Sequence, residues 1–166
     1  MKNEMLLITT ARKPSMEART LCKRLRGFTH FPYVNRGKMS LEDVVNTAAE
    51  LGCDHVMLVS DFKRRPGRLE ILDLDLNATL SLFISVARLE KFKWLKKKRI
   101  TVVGRSEVAR RLYEAFGQNA MWVRGDGESL KKEGRVVFVD AQNTVLEFFD
   151  EGVQMILLKI RGAKLF

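Results

Sequence analysis

The sequence lacks most of the parts that catalysis, secretion or membrane insertion would need. It has two cysteines, Cys22 and Cys53, outside any CxxC pair, so it carries neither a disulfide framework nor a zinc signature. Free, mostly buried thiols are expected; a site drawn from Cys22, Cys53, His30 and His55 is the alternative. No apolar run approaches the roughly 20 residues that span a bilayer. "MKNEMLLITT" lacks the apolar core and cleavage site of a signal peptide, so a soluble, intracellular chain is expected. GxxxxGK[ST] is absent, which excludes Walker-type nucleotide hydrolysis, and no GxSxG positions a nucleophilic serine. "TVVGRSEVARRL" has the strand, glycine and helix of a dinucleotide fold without its second and third glycines, so Gly104 is expected to permit a turn. Asp73 and Asp75 alternate with leucines and could hold a divalent ion if they share a strand face, but a solvated polar face is the expectation. No cofactor, metal or catalytic activity is called for.

What is present is positive charge. Over 166 residues the formal net charge is +10 and the pI about 9.9, which favours an acidic polymer or surface as partner, nucleic acid first. With 46% hydrophobic residues the chain can build a real core.

Met5 to Thr10 reads as a short strand. Pro14 and the N-cap Ser15 open a helix with Ala18, Leu21, Cys22 and Leu25 on one face, which Gly27 is expected to end. Phe31 to Val34 is extended. Ser40 with Asp43 makes a capping-box-like start for a helix through Val44, Val45, Ala48 and Leu51. His55 to Asp61 reads as a buried strand and "KRRPG" as a turn, followed by strands through Leu69, Ile71, Leu74 and Leu76 and through Leu80, Leu82, Ile84 and Val86. "RLEKFKWLKKKR" is an amphipathic helix or a basic linker. Beyond it come a strand at Ile100 to Gly104, a helix from Ser106 to Gly117, a short strand at Ala120 to Val123, a helical turn in Gly127 to Gly134, and strands at Val136 to Val139, Val145 to Phe149 and Gln154 to Ile160. The fold class is therefore α/β. It is expected as one domain over residues 1–166, in two similar halves of about 1–90 and 99–166, each β-α-β-α-β-β-β, joined by a basic segment at 91–98. A single α+β sheet with a coincidental repeat is the alternative.

Cations gather at element ends: Arg12 and Lys13; Arg36 and Lys38 after Asn35 and around Gly37; Lys63, Arg64, Arg65 and Arg68. Strand ends and helix N-termini already favour anions, and arginine forks suit phosphate. Arg12, Lys13, Arg36 and Lys38 are expected to form one exposed rim, with Gly37 turning tightly at positive φ. Phe62, Phe92 and Trp94 interleave with cations and could stack on bases, although core packing is the expectation for Phe62 and Trp94.

"LLITTARKPSMEARTLCKRL", "YVNRGKMSLEDVV" and "HVMLVSDFKRRPGRLEIL" together resemble the Brix-domain family of ribosome-biogenesis proteins, in its short archaeal form. The family's opening motif, a strand followed by Thr-Ser-Arg-Lys-Pro-Ser, maps onto Thr9 through Ser15 with Ala11 in place of serine, and its Asn-Arg-Gly onto Asn35, Arg36 and Gly37. Asn77, Ala78 and Thr79 stand where many members have Gly-Pro-Thr. The resemblance implies a non-enzymatic factor that binds precursor ribosomal RNA and assists its processing or folding. It also implies halves related to the anticodon-binding domains of class II tRNA synthetases and a cytoplasmic, archaeal setting. The partners implied are ribosomal RNA or its precursor, a guide RNA and other assembly factors. The rival reading is an assembly adaptor whose basic surface docks an acidic protein.

Overall fold

The computed structural model describes residues 5–125 and 128–166. In the first series, β1 (Met5–Thr10) is almost wholly buried, and Ser15 caps α1 (Met16–Thr29) by accepting the Ala18 amide at 3.0 Å. The helix buries Ala18, Leu21, Cys22, Leu25 and Phe28. Gly27 does not end it. The helix continues to Thr29 and closes on His30, at φ 63°, whose amide donates to the Arg26 carbonyl at 2.7 Å. Gly27 is instead a contact point, because a Cβ there would lie 2.0 Å from the Lys93 carbonyl oxygen.

Ser40 and Asp43 form a reciprocal capping box that starts α2 (Leu41–Glu50), as the spacing predicts. The strands β2 (Cys53–Phe62), β3 (Arg65–Asp73) and β4 (Ala78–Leu89) follow. The turn between β2 and β3 is Lys63–Arg64, both at positive φ, while Pro66 and Gly67, expected in the turn, belong to β3. Leu74 and Leu76 fall outside the strand. Asp73 ends it by accepting the amides of Asp75 and Asn77 at 2.9 Å each, an Asx-type turn in place of a shared acidic face.

From Glu90 to Arg99 the chain is neither helix nor strand. It is strapped over α1: Arg24 Nε donates to the Glu90 carbonyl at 2.9 Å, the Leu95 amide donates to the Gly27 carbonyl at 3.0 Å, and the His30 ring meets the Leu95 carbonyl at 2.6 Å. Part of the cationic side of α1 thus holds the strap. Apolar residues on "RLEKFKWL" serve this contact, with Phe92 and Leu95 packed against the core.

The second series comprises β5 (Ile100–Val103), α3 (Glu107–Phe116), β6 (Ala120–Val123), a 3₁₀ turn (Glu128–Lys131), β7 (Arg135–Val139), β8 (Val145–Asp150) and β9 (Val153–Leu165). Ser106 caps α3 and Gly117, at φ 84°, stops it. Gly127 lies outside the described residues. All strands join one sheet in the order β1-β2-β3-β4-β9-β8-β7-β5-β6. In the first series β1 pairs parallel with β2 and is bridged parallel to Tyr33 on its other side; in the second, β5 pairs parallel with β7 and with β6. Two antiparallel hairpin steps then follow in each, and β4 pairs antiparallel with β9 to unite them.

One face of the sheet carries α1 and α3 over the main core. On the other face Val44 and Ala48 of α2 pack with Leu7, Val56 and Leu72, and Leu130 packs with Val103, Val136, Phe138 and Phe149. Phe83, in β4 beside the central strand β9 and between these two covers, is 49% exposed.

Candidate nucleic-acid interface

Parallel pairing of β1 with β2 brings their C-terminal ends to one edge of the molecule, with Thr10 opposite Val59. Asp61 fixes the junction, accepting the Ser15 amide at 2.6 Å and the Ser15 hydroxyl at 2.7 Å. The loop carrying Arg12 and Lys13 is thereby tied to the start of the Lys63–Arg64 hairpin.

Arg12, Lys13 and Lys38 are exposed, and Arg12 leans over the next loop, donating to the Met39 and Lys38 carbonyls at 3.4 Å each. Arg36 departs from the exposed rim. It is 7% exposed and donates through Nε to the Met39 carbonyl at 2.7 Å and through Nη1 to the Thr10 carbonyl at 3.1 Å. Burial lowers its pKa from the usual value, and the neighbouring Arg12 charge adds to the effect. Its role here is to staple the end of β1 to the loop before α2. Gly37 has φ 51°, as expected, and no atom lies within 4 Å of a hypothetical Cβ, so backbone conformation selects the glycine. Asn35 is exposed and accepts the Tyr33 hydroxyl at 2.8 Å. Lys13, Asn35 and Gly37 line a cleft of about 360 Å³ together with Arg19, a cation that the motif-based reading did not include.

A second and larger hollow, about 960 Å³, lies beside the hairpin and is lined in part by Phe62, Lys63, Arg65, Arg68, Phe83 and Arg161. Neither Phe62 nor Trp94 is core: they are 68% and 54% exposed. Trp94 covers the α1 C-terminus, 4.8 Å from the Arg26 guanidinium and 5.1 Å from the His30 ring. Phe62 rests on β3, where a Cβ on Gly67 would come within 2.5 Å of the Phe62 Cβ. Arg68 is held in place, its Nε donating to the Ser81 hydroxyl at 2.9 Å and its Nη2 to Glu70 at 2.5 Å, with its guanidinium 5.8 Å from the Phe83 ring centre. Arg64 and Arg65 project from the hairpin tip, both exposed. Arg161 and Phe83 were not among the expected site residues; the pairing of β4 with β9 that brings them together has no local sequence signal.

Among the described residues no cluster of three His, Cys, Asp or Glu could hold a metal ion. His55 pairs with Asp54 at 2.9 Å instead. Cys22 donates weakly to the Thr9 carbonyl, and burial pushes its pKa from 9.0 up to about 12. Burial likewise raises Cys53 to about 11. Both thiols should therefore resist alkylation at pH 8 in the native chain. Because the folded state favours the neutral thiol, this contribution to stability is intact below pH 9.0 and is lost as pH rises toward about 12. Denaturant titrations above pH 9 should show that decline flattened in Cys22→Ala; equal slopes in the two proteins would refute the assignment.

No family model matches the chain. Curated archaeal relatives do. A probable Brix domain-containing ribosomal biogenesis protein of Methanococcoides burtonii is 35% identical over 97 residues, covering 57% of this chain and 59% of the relative. Its counterpart in Methanococcus maripaludis is 35% identical, covering 49% and 46%. In these two comparisons the chain thus spans only about half the length of the relative. A Methanosarcina barkeri counterpart is 26% identical over 96% of this chain and 99% of its own. Among solved structures, an archaeal Imp4-like protein superposes with a TM-score of 0.67 at 26% identity, over 96% of this chain and 99% of that one. A probable ribosomal biogenesis protein from Aeropyrum pernix, at 16% identity and a TM-score of 0.74 over 95% of each chain, shares the fold. The chain is therefore similar in sequence to archaeal Brix domain-containing ribosomal biogenesis proteins, and similar in fold along nearly its whole length to an archaeal Imp4-like protein.

Proposed function

We propose that this chain acts in ribosome biogenesis by binding precursor ribosomal RNA and assisting its processing or folding. The observation that carries the reading is the exposed cationic edge of Arg12, Lys13, Lys38, Lys63, Arg64 and Arg65, tied together by the Asp61–Ser15 contact. Among the described residues none of these six side chains has an acidic partner within ion-pair distance. Their charge is left for an external anion, and phosphate contacts of this kind position a backbone without reading its bases.

The repeated pairing of the two series supports reading the chain as two related halves, about 1–90 and 99–166, flanking the strap. Kinship with synthetase anticodon-binding domains goes with that reading. On it, a guide RNA or a second assembly factor would have the same edge available.

Binding of a ribosomal RNA fragment across a salt series tests the proposal. Two triple variants, Arg12→Ala/Lys13→Ala/Lys38→Ala and Lys63→Ala/Arg64→Ala/Arg65→Ala, should keep the fold and weaken binding. Each lost phosphate contact should reduce the salt slope by roughly 0.7 to 1. Arg36 is left intact because its guanidinium serves the fold. Unchanged slopes in folded variants would defeat the edge model. Absence of RNA affinity at moderate salt, with retention of an acidic protein partner, would leave the adaptor reading in its place.

A further inference from the structure

The hollow beside the β2–β3 hairpin differs in kind from a solvated charged surface, because it is assembled from two strand irregularities and two exposed rings. The β2–β3 register shifts between Ser60 and Asp61: Ser60 faces Arg68 and Asp61 faces Pro66, which leaves Gly67 as the extra residue. The β4–β9 register shifts between Phe83 and Ile84: Phe83 faces Gly162 and Ile84 faces Ile160, which leaves Arg161 as the extra residue. Bulges of this kind re-aim side chains and concentrate near functional sites. Here one sets Gly67 close against the backbone and Cβ of Phe62, and the other brings Arg161 to the wall of the hollow.

The turn adds a second sign of construction. A two-residue hairpin loop with positive φ at both positions favours Asn-Gly, yet Lys63 and Arg64 sit there at φ 53° and 66°. Left-handed backbone is strained for any residue that carries a Cβ. The chain accepts that strain and places two cations at the tip. Asp61, the acidic residue lining the hollow, has its carboxylate engaged by Ser15, so it opposes an incoming anion less than a free carboxylate would.

We infer that this hollow is a base-stacking site for single-stranded RNA, in which Phe62 and Phe83 each take the face of an unpaired base while Lys63, Arg65 and Arg161 hold the adjoining phosphates. The inference rests on the RNA-binding reading and sharpens it to a substrate class. A duplex keeps its base faces stacked within the helix, whereas a splayed single strand can present both bases and phosphates to a groove. The volume lies within the range of built binding sites.

The test uses fluorescence anisotropy with three probes of equal length: a single-stranded oligoadenylate, an abasic oligomer with the same phosphates, and a duplex. The wild-type chain should bind oligoadenylate at least about five-fold more tightly than the abasic oligomer. Phe62→Ala and Phe83→Ala should each remove about five-fold or more of the affinity for oligoadenylate, leave the abasic affinity and the salt slope unchanged, and melt as the wild type does. Phe62→Tyr should restore the preference. Equal affinity for oligoadenylate, abasic oligomer and duplex overturns the stacking site while leaving the phosphate-edge reading in place. Failure to bind any probe overturns both.

Discussion

Arg135→Met is expected to cost about 2–4 kcal/mol of stability, read as a large fall in the urea midpoint. Arg135 is 1% exposed and sits at the start of β7, yet its contacts lie mainly in the first series and the strap. Nη1 donates to the Phe28 carbonyl and Nη2 to the Lys96 carbonyl, each at 2.6 Å, while Nε meets Asp150 at 3.1 Å. The guanidinium also stands 5.1 Å from the Phe28 ring centre. A methionine could fill most of the volume but would leave the buried Phe28 carbonyl and the partly buried Lys96 carbonyl without these donors. Asp150 would keep Lys98 at 3.2 Å, so the loss comes chiefly from the carbonyls at the end of α1 and in the strap. Lysine should rescue poorly, since one ammonium cannot reproduce a planar fork aimed at three acceptors. A loss below about 1 kcal/mol would show that relaxation or water replaces these bonds.

Gly27→Ala should also destabilise, by about 2 kcal/mol, against the usual sign. Within a helix this substitution ordinarily gains up to about 1 kcal/mol. Here the added methyl would lie 2.0 Å from the Lys93 carbonyl oxygen and 2.9 Å from its carbon, backbone atoms that no rotamer change can move. Overpacking of this severity costs about 1–3 kcal/mol, and displacing the strap also breaks the bond from the Leu95 amide to the Gly27 carbonyl. Thermal melts should show the net loss, and trypsin should cut faster within the Lys91–Lys98 stretch. A variant more stable than wild type would mean that the strap does not bear on α1.

The features legible in the sequence are those governed by short-range chemistry. Ser15, Ser40 with Asp43, Ser106 and Gly117 signal helix ends through hydrogen bonds that span only a few residues, and each stands where expected. Period-two alternation likewise places Leu80, Leu82 and Ile84 on the core side of β4. The misreadings arise where one residue type serves two purposes. Gly27 carries the signal of a helix stop but meets a distant segment; Pro66 and Gly67 carry the signal of a turn but lie in a strand, beside a turn made of residues that seldom form one. Arg36 has the sequence character of a surface cation, and only the fold reveals that carbonyls on two elements surround it. Phe62 has the sequence character of core and is exposed, with only its backbone and Cβ lying against Gly67. Arg161 joins the site only through the pairing of β9 with β4, which links residues far apart in the chain.

That last pairing governs how the chain must be made. β4 ends at Leu89, and its partner β9 begins only at Val153, so a growing chain presents β4 as an open sheet edge while the whole second series is still being synthesised. At about 5–20 residues per second this interval lasts several seconds, long compared with hairpin formation. During it, the edge is a template for any extended segment, including β9 from another copy. The strap offers a partial remedy, since Arg24 and Gly27 can bind Glu90 and Leu95 as soon as those residues emerge, committing the chain to turn back across α1 before its final strand exists.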